Sequence, residues 1–124
     1  YSPLQENKRE LRVAILAPVT YDDGLAILLR VEATSGSPMP EYEALSNVWS
    51  QRISSWKAII NGIQMAISAN LDCALRHLRY PNKDRVLWVD QMCINQADDQ
   101  ERSSQVQLMG FIYSAAKKVI IWLG

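Results

Sequence analysis

The chain has 124 residues, 48% of them hydrophobic, which is the size of one domain and enough to bury roughly two-thirds of its unfolded surface. Thirteen Lys and Arg balance thirteen Asp and Glu, and no basic run interleaves with aromatics, so neither nucleic acid nor an anionic membrane surface is an expected partner. The start "YSPLQENKRELR" has no apolar signal core and "VIIWLG" is too short to cross a bilayer, so a soluble, cytoplasmic chain is expected.

In chain order, "LRVAILAP" and "LAILLRVEA" are β-rich runs around the turn signal "TYDDG", an antiparallel hairpin within residues 1–33. The Gly, Ser and Pro of "ATSGSPMPE", Ala33 to Glu41, mark a surface connection to the remainder, residues 42–124. A short strand follows from about Tyr42 to Val48 in "YEALSNVWS". In "WKAIINGIQMAIS" the pair Asn61-Gly62 separates two alternating runs, and both residues tolerate positive φ, which predicts a second hairpin with a type I′ turn.

Leu71, Ala74, Leu75 and Leu78 fall at the spacing of one helical face, with Ser68 as N-cap and Pro81 closing. "RVLWVD" and "KVIIWLG" are continuous apolar runs, the pattern of strands covered on both faces. Between them a second helix is predicted. Asp98 and Glu101 form a capping-box-like start, Val106, Met109, Tyr113 and Ala116 its apolar stripe, and Lys117 and Lys118 suit its negative C-terminal end. Two buried strands around a helix make a parallel, right-handed βαβ unit. The expectation is a single α/β domain with a mostly parallel sheet, flanking helices and added antiparallel hairpins.

Ligands of such sheets sit beyond the carboxyl ends of the strands, and two polar bursts, "SNVWSQR" and "DQMCINQADDQER", fall there. Asp90 either accepts backbone N–H bonds in its loop or faces a ligand such as a ribose. The amides of Asn95 and Gln96 either read a polar ligand or stitch the loop, with stitching favoured for Asn95. Ser46 and Trp49 offer a hydroxyl and a stacking face, although Trp49 and Trp88, taken singly, are more often core aromatics. These residues, Ser46, Trp49, Asp90, Asn95 and Gln96, make a candidate nucleotide pocket.

Other groups have plainer readings. Cys93 and Cys73 lie twenty residues apart with no CxxC, which argues against a zinc site or a disulfide framework and fits a reducing compartment. Cys93 reads as a small buried thiol rather than a nucleophile, and His77 as a half-buried helix residue. Helix capping accounts for Asp98, Asp99 and Glu101 without a metal ion, and no calcium-loop spacing is present. Glu101 and Arg102 are candidates for an ion pair with loop groups or with a partner surface.

Several strings together resemble the heterokaryon incompatibility (HET) domain of filamentous fungi, whose hallmarks look like "YEALSYVWG", "LWVDAICINQ", a spaced "D..ER..QV..M..IY" and a closing "V..WLG". Here they stand as Tyr42 to Ser50, Leu87 to Gln96, then Asp98 or Asp99 with Glu101, Arg102, Gln105, Val106, Met109, Ile112 and Tyr113, then Val119 and Trp122 to Gly124. "ING" at Ile60 to Gly62 and "NL..AL..LR" from Asn70 to Arg79 also fit. Departures are Asn47 in place of an aromatic, Ser50 in place of a glycine, and Gln91 and Met92 in place of small and branched residues.

The resemblance implies a fungal, intracellular module that triggers cell death when genetically different hyphae fuse, as one part of a larger protein. It further implies a fold similar to Toll/interleukin-1 receptor (TIR) domains, that is, TIR-like or flavodoxin-like. Some TIR domains hydrolyse NAD and others act by self-association or docking to further death-signalling domains. No resident cofactor is implied; NAD would be a substrate. By that analogy the catalytic glutamate lies beyond Gly124, as though the domain were truncated. Within this chain only Glu43, Asp90 or Glu101 could supply the stabilising carboxylate, and no catalytic residue is assigned.

Overall fold

A computed structural model describes residues 3–4, 10–18, 24–34, 40–47 and 57–123. Its strands are β1 (Leu11–Leu16), β2 (Ala26–Glu32), β3 (Glu43–Asn47), β4 (Lys57–Ile60), β5 (Ile63–Ala66), β6 (Arg85–Val89) and β7 (Lys118–Trp122). Its helices are α1 (Ala69–Leu78), the single turn α2 (Asp90–Cys93) and α3 (Asp99–Ala115). The seven strands form one mixed sheet in the order β5-β4-β2-β1-β6-β3-β7. Pairings β2 with β4, β3 with β6 and β3 with β7 are parallel; β1 with β2, β1 with β6 and β4 with β5 are antiparallel.

The α/β expectation holds, with a sheet more mixed than a doubly wound one. The front hairpin is built into it: β1 lies between β2 and β6, antiparallel to both. β6 and β7 run parallel, but β3 is inserted between them. Asn61 (φ 52) and Gly62 (φ 80) turn the second hairpin through positive φ at both positions, as a type I′ turn requires. The Asp22-Asp23 part of the front turn, Val48, Trp49 and Ser50 lie outside the described residues.

Paired residues share a face of the sheet, so Ala44 and Trp88 lie on one side, and Leu45 and Val89 on the other. α1 covers the second side, where its Leu78 carbonyl accepts from Arg85 Nη1. α3 covers the first, where Tyr113 meets Trp88 edge-on at 5.6 Å between ring centroids. Trp88, Leu87 and Val89 are fully buried, as a strand covered on both faces demands.

Four local readings change. Ser68 caps α1 as expected, its hydroxyl accepting from Leu71 N at 3.1 Å, but the helix closes at Arg79, ahead of Pro81. On α3 Met109, Tyr113 and Ala116 of the expected stripe pack against the core, but Val106 is 53% exposed and its neighbour Gln105 is buried, giving its amide to the Glu10 carbonyl at 3.0 Å. Neighbouring helical positions differ by about 100°, so an inward Gln105 turns Val106 out. Lys117 and Lys118 do not finish the helix, because Ala116 caps it and Lys117 N donates to the Tyr42 carbonyl as the chain enters β7. Finally, β7 is an edge strand with Val119 and Ile121 exposed, although its apolar run reads like that of β6.

Candidate functional site

The carboxyl ends of β3, β6 and β7 meet on one edge: Leu45 pairs with Val89 and Asn47 with Trp122. β1 runs the opposite way, so its start brings Arg12 to the same edge. There the chain leaves β6 directly into α2, a turn read in sequence as loop, and then into Ile94–Asp98 and the start of α3.

Arg12 and Glu101 organise this edge. The guanidinium donates from Nη1 and Nη2 to the two carboxylate oxygens at 2.6 and 2.7 Å, with side chains only 2% and 9% exposed. Arg12 Nη1 also reaches the Cys93 carbonyl at 3.2 Å, and Glu101 accepts from Asn95 N. A two-pronged buried pair thus ties sheet, loop and helix at one point. Asp98 supplies half of a capping box, accepting from Glu101 N at 3.1 Å, but the Glu101 side chain turns to Arg12 and Asn95 instead of returning to the cap. Arg102, the other half of the proposed pair, lies at the surface with Asp99 at 2.8 Å and reaches the Gln96 carbonyl at 3.3 Å.

Asn95 and Gln96 both brace the loop. Asn95 Oδ1 accepts from Ala97 N, and Gln96 Nε2 donates to the Asp90 carbonyl at 2.9 Å. Asp90 opens α2, half-buried. Its charge, and burial above all, raise the Tyr113 phenol above its ordinary range, while a hydrogen bond with Ser46 pulls it the other way. Ser46, Asp90 and Tyr113 therefore share one place over the ends of β3 and β6. The sequence marks Tyr113 as a stripe residue, and its hydroxyl at the edge is a consequence of helix placement that spacing does not reveal. Trp49 falls outside the described residues; Gln96 reaches the group only through the Asp90 backbone carbonyl, and Asn95 is spent on Ala97 N.

Cys93 is fully buried; burial pushes its thiol up to about 12, against smaller opposing effects from Val89 N–H and Arg12. It is a packed neutral thiol, not a nucleophile. His77 is exposed on α1, beside Cys73 and against the Trp122 ring at 5.1 Å. Glu43 is held below the ordinary carboxylate range chiefly by its hydrogen bonds from Arg85, at 2.9 and 3.0 Å. Both cysteines are free, and no group of three or more His, Cys, Asp or Glu suited to a metal occurs among the described residues. No helix among them is long and apolar enough to cross a membrane.

Comparison with known proteins agrees with the motifs that border this edge. Residues 42–124 match the family described as Heterokaryon incompatibility protein (HET). The chain is 38% identical to Heterokaryon incompatibility protein 6, OR allele, of Neurospora crassa, over 98% of this chain and 20% of that protein, so it spans about a fifth of the relative's length. No solved structure matches the chain.

Proposed function

Because the chain belongs to the heterokaryon incompatibility family, we propose that it is the module through which a larger incompatibility protein triggers programmed cell death, by associating with further copies of itself. The observation that carries this reading is the edge strand β7, where Val119 and Ile121, two residues apart on one face, are 45% and 69% exposed. An edge strand offers unpaired backbone groups, and an apolar row beside them adds the burial that makes strand pairing favourable. The adjoining strand ends agree with the same reading. Around the strand ends, Asn95, Gln96 and Glu101 serve the scaffold, which leaves no assembled acid, base and nucleophile set there among the described residues. Expression of the full-length protein in a fungal host tests it: Ile121→Lys should abolish death at unchanged protein level, and undiminished death would reject it.

A second reading rests on the Ser46, Asp90 and Tyr113 group. In a TIR-like arrangement of this sheet, a nucleotide such as NAD would lie over these groups, and the Asp90 carboxylate would stabilise a cationic ribosyl transition state during loss of nicotinamide. Nicotinamide release by the full-length protein, reduced by Asp90→Ala, would support hydrolysis; absence of release with an active hydrolase as control would remove it.

A further inference from the structure

Gln91 differs from its neighbours in the loop. Asn95 and Gln96 spend their side chains on nearby backbone, but Gln91 Oε1 accepts from Asn47 Nδ2 at 3.1 Å. The same Asn47 nitrogen donates to Asn70 Oδ1 at 3.2 Å. Asn47 thus commits both of its amide hydrogens and holds two carboxamides by their oxygens. The NH2 groups of Asn70 and Gln91 remain as donors, and no hydrogen bond among the described residues engages them.

Beside Gln91 lies a cavity of about 170 Å³ between the β4–β5 hairpin, the start of α1 and α2. Ile60, Leu71 and Met92, all at least nine-tenths buried, form its apolar wall, with Met65 toward solvent and Ser68 at the rim. The Ser68 oxygen accepts from Leu71 N, which leaves its rotatable hydroxyl hydrogen able to act as a further donor. A cavity of about 150 Å³ with apolar walls holds one six-membered ring. Methionine sulfur favours an aromatic neighbour. The positive end of the α1 dipole, at the same rim, favours an electron-rich acceptor.

We propose that this cavity binds a small planar ring bearing a carbonyl or carboxylate acceptor, the ring packing on Met92, Leu71 and Ile60 and the acceptor taking the Gln91 amide, with Asn47 as the positioning residue. The choice of ligand follows from polarity. A ring alone would fit the wall, but Asn47 occupies the Gln91 oxygen and leaves its NH2 as the donor of this lining residue, so an acceptor-bearing ring is preferred over a donor-bearing one of the same size.

The test uses the full-length protein with benzamide, benzoate and benzylamine as probes, followed by calorimetry and by amide NMR. Benzamide and benzoate should bind saturably, with Kd on the order of millimolar for so small a ligand, and should move the Gln91 side-chain NH2 resonances. Gln91→Leu should weaken benzamide about tenfold, the loss of one hydrogen bond. Gln91→Glu should invert the preference toward benzylamine. Asn47→Ala should shift the two Gln91 NH2 resonances of the free, folded protein toward the positions of an unrestrained glutamine and weaken benzamide while the fold is kept. Three results would overturn the proposal: no saturable binding of benzamide up to its solubility limit, tighter binding of benzylamine by the wild type, or unchanged benzamide affinity in a folded Gln91→Leu variant.

Discussion

Arg12, the second residue of β1, and Glu101, in the first turn of α3, form a buried two-pronged ion pair across 89 residues of sequence. Through Arg12 the pair holds the Cys93 carbonyl and through Glu101 the Asn95 amide, so it sets the path of the loop between α2 and α3. Removing one partner strands the other charge away from water. Arg12→Met should therefore cost about 3–5 kcal/mol in chemical denaturation, whereas Arg12→Met combined with Glu101→Leu should recover a large part of that loss. Additive losses in the double variant would mean that the two residues act separately.

The Glu43 and Arg85 pair predicts an acid limb of stability. Glu43 has a folded pKa depressed below its ordinary value of about 4.5, chiefly by the Arg85 hydrogen bonds. Its contribution is present above the unfolded pKa and is lost as pH falls through the folded one. Stability should thus decline as pH drops below about 4.5, and Glu43→Gln should flatten that part of the profile while lowering stability at neutral pH by about 2 kcal/mol. Denaturation midpoints across pH 2–7 check both; an unchanged acid limb in Glu43→Gln would contradict the assignment.

Thiol chemistry separates the two cysteines. Cys93 is fully buried with its thiol raised to about 12, while Cys73 is partly exposed on α1. Iodoacetamide at pH 8, followed by peptide mapping, should label Cys73 in the native protein and Cys93 only after unfolding. Equal native labelling would show that the core around Val89 opens.

Local chemistry was readable wherever one residue fixes one backbone state. Ser68 caps α1 and Asn61-Gly62 turns a hairpin because each choice needs only its own neighbours. The apolar run of β6 likewise announced a covered strand. The same pattern misled at β7, since a row of branched residues does not say whether a neighbouring strand exists to cover it. Gln105 and Val106 show the converse, a polar side chain drawn inward by a single distant carbonyl, Glu10 O. That Asp90 and Ser46 lie at the edge follows from their position at strand ends, but Arg12 and Tyr113 arrive there from elements far away in sequence, and their own neighbours do not reveal it. The link between Asn47 and Gln91 is of the same kind: two departures from the family strings, 44 residues apart, turn out to be hydrogen-bond partners.

The most direct measurement is light scattering coupled to size exclusion on the full-length protein over a range of concentrations, comparing wild type with Ile121→Lys. Association through β7 predicts a mass that rises with concentration in the wild type and stays at one protomer in the variant. A wild type that remains monomeric throughout, or a variant that associates equally well, would contradict it.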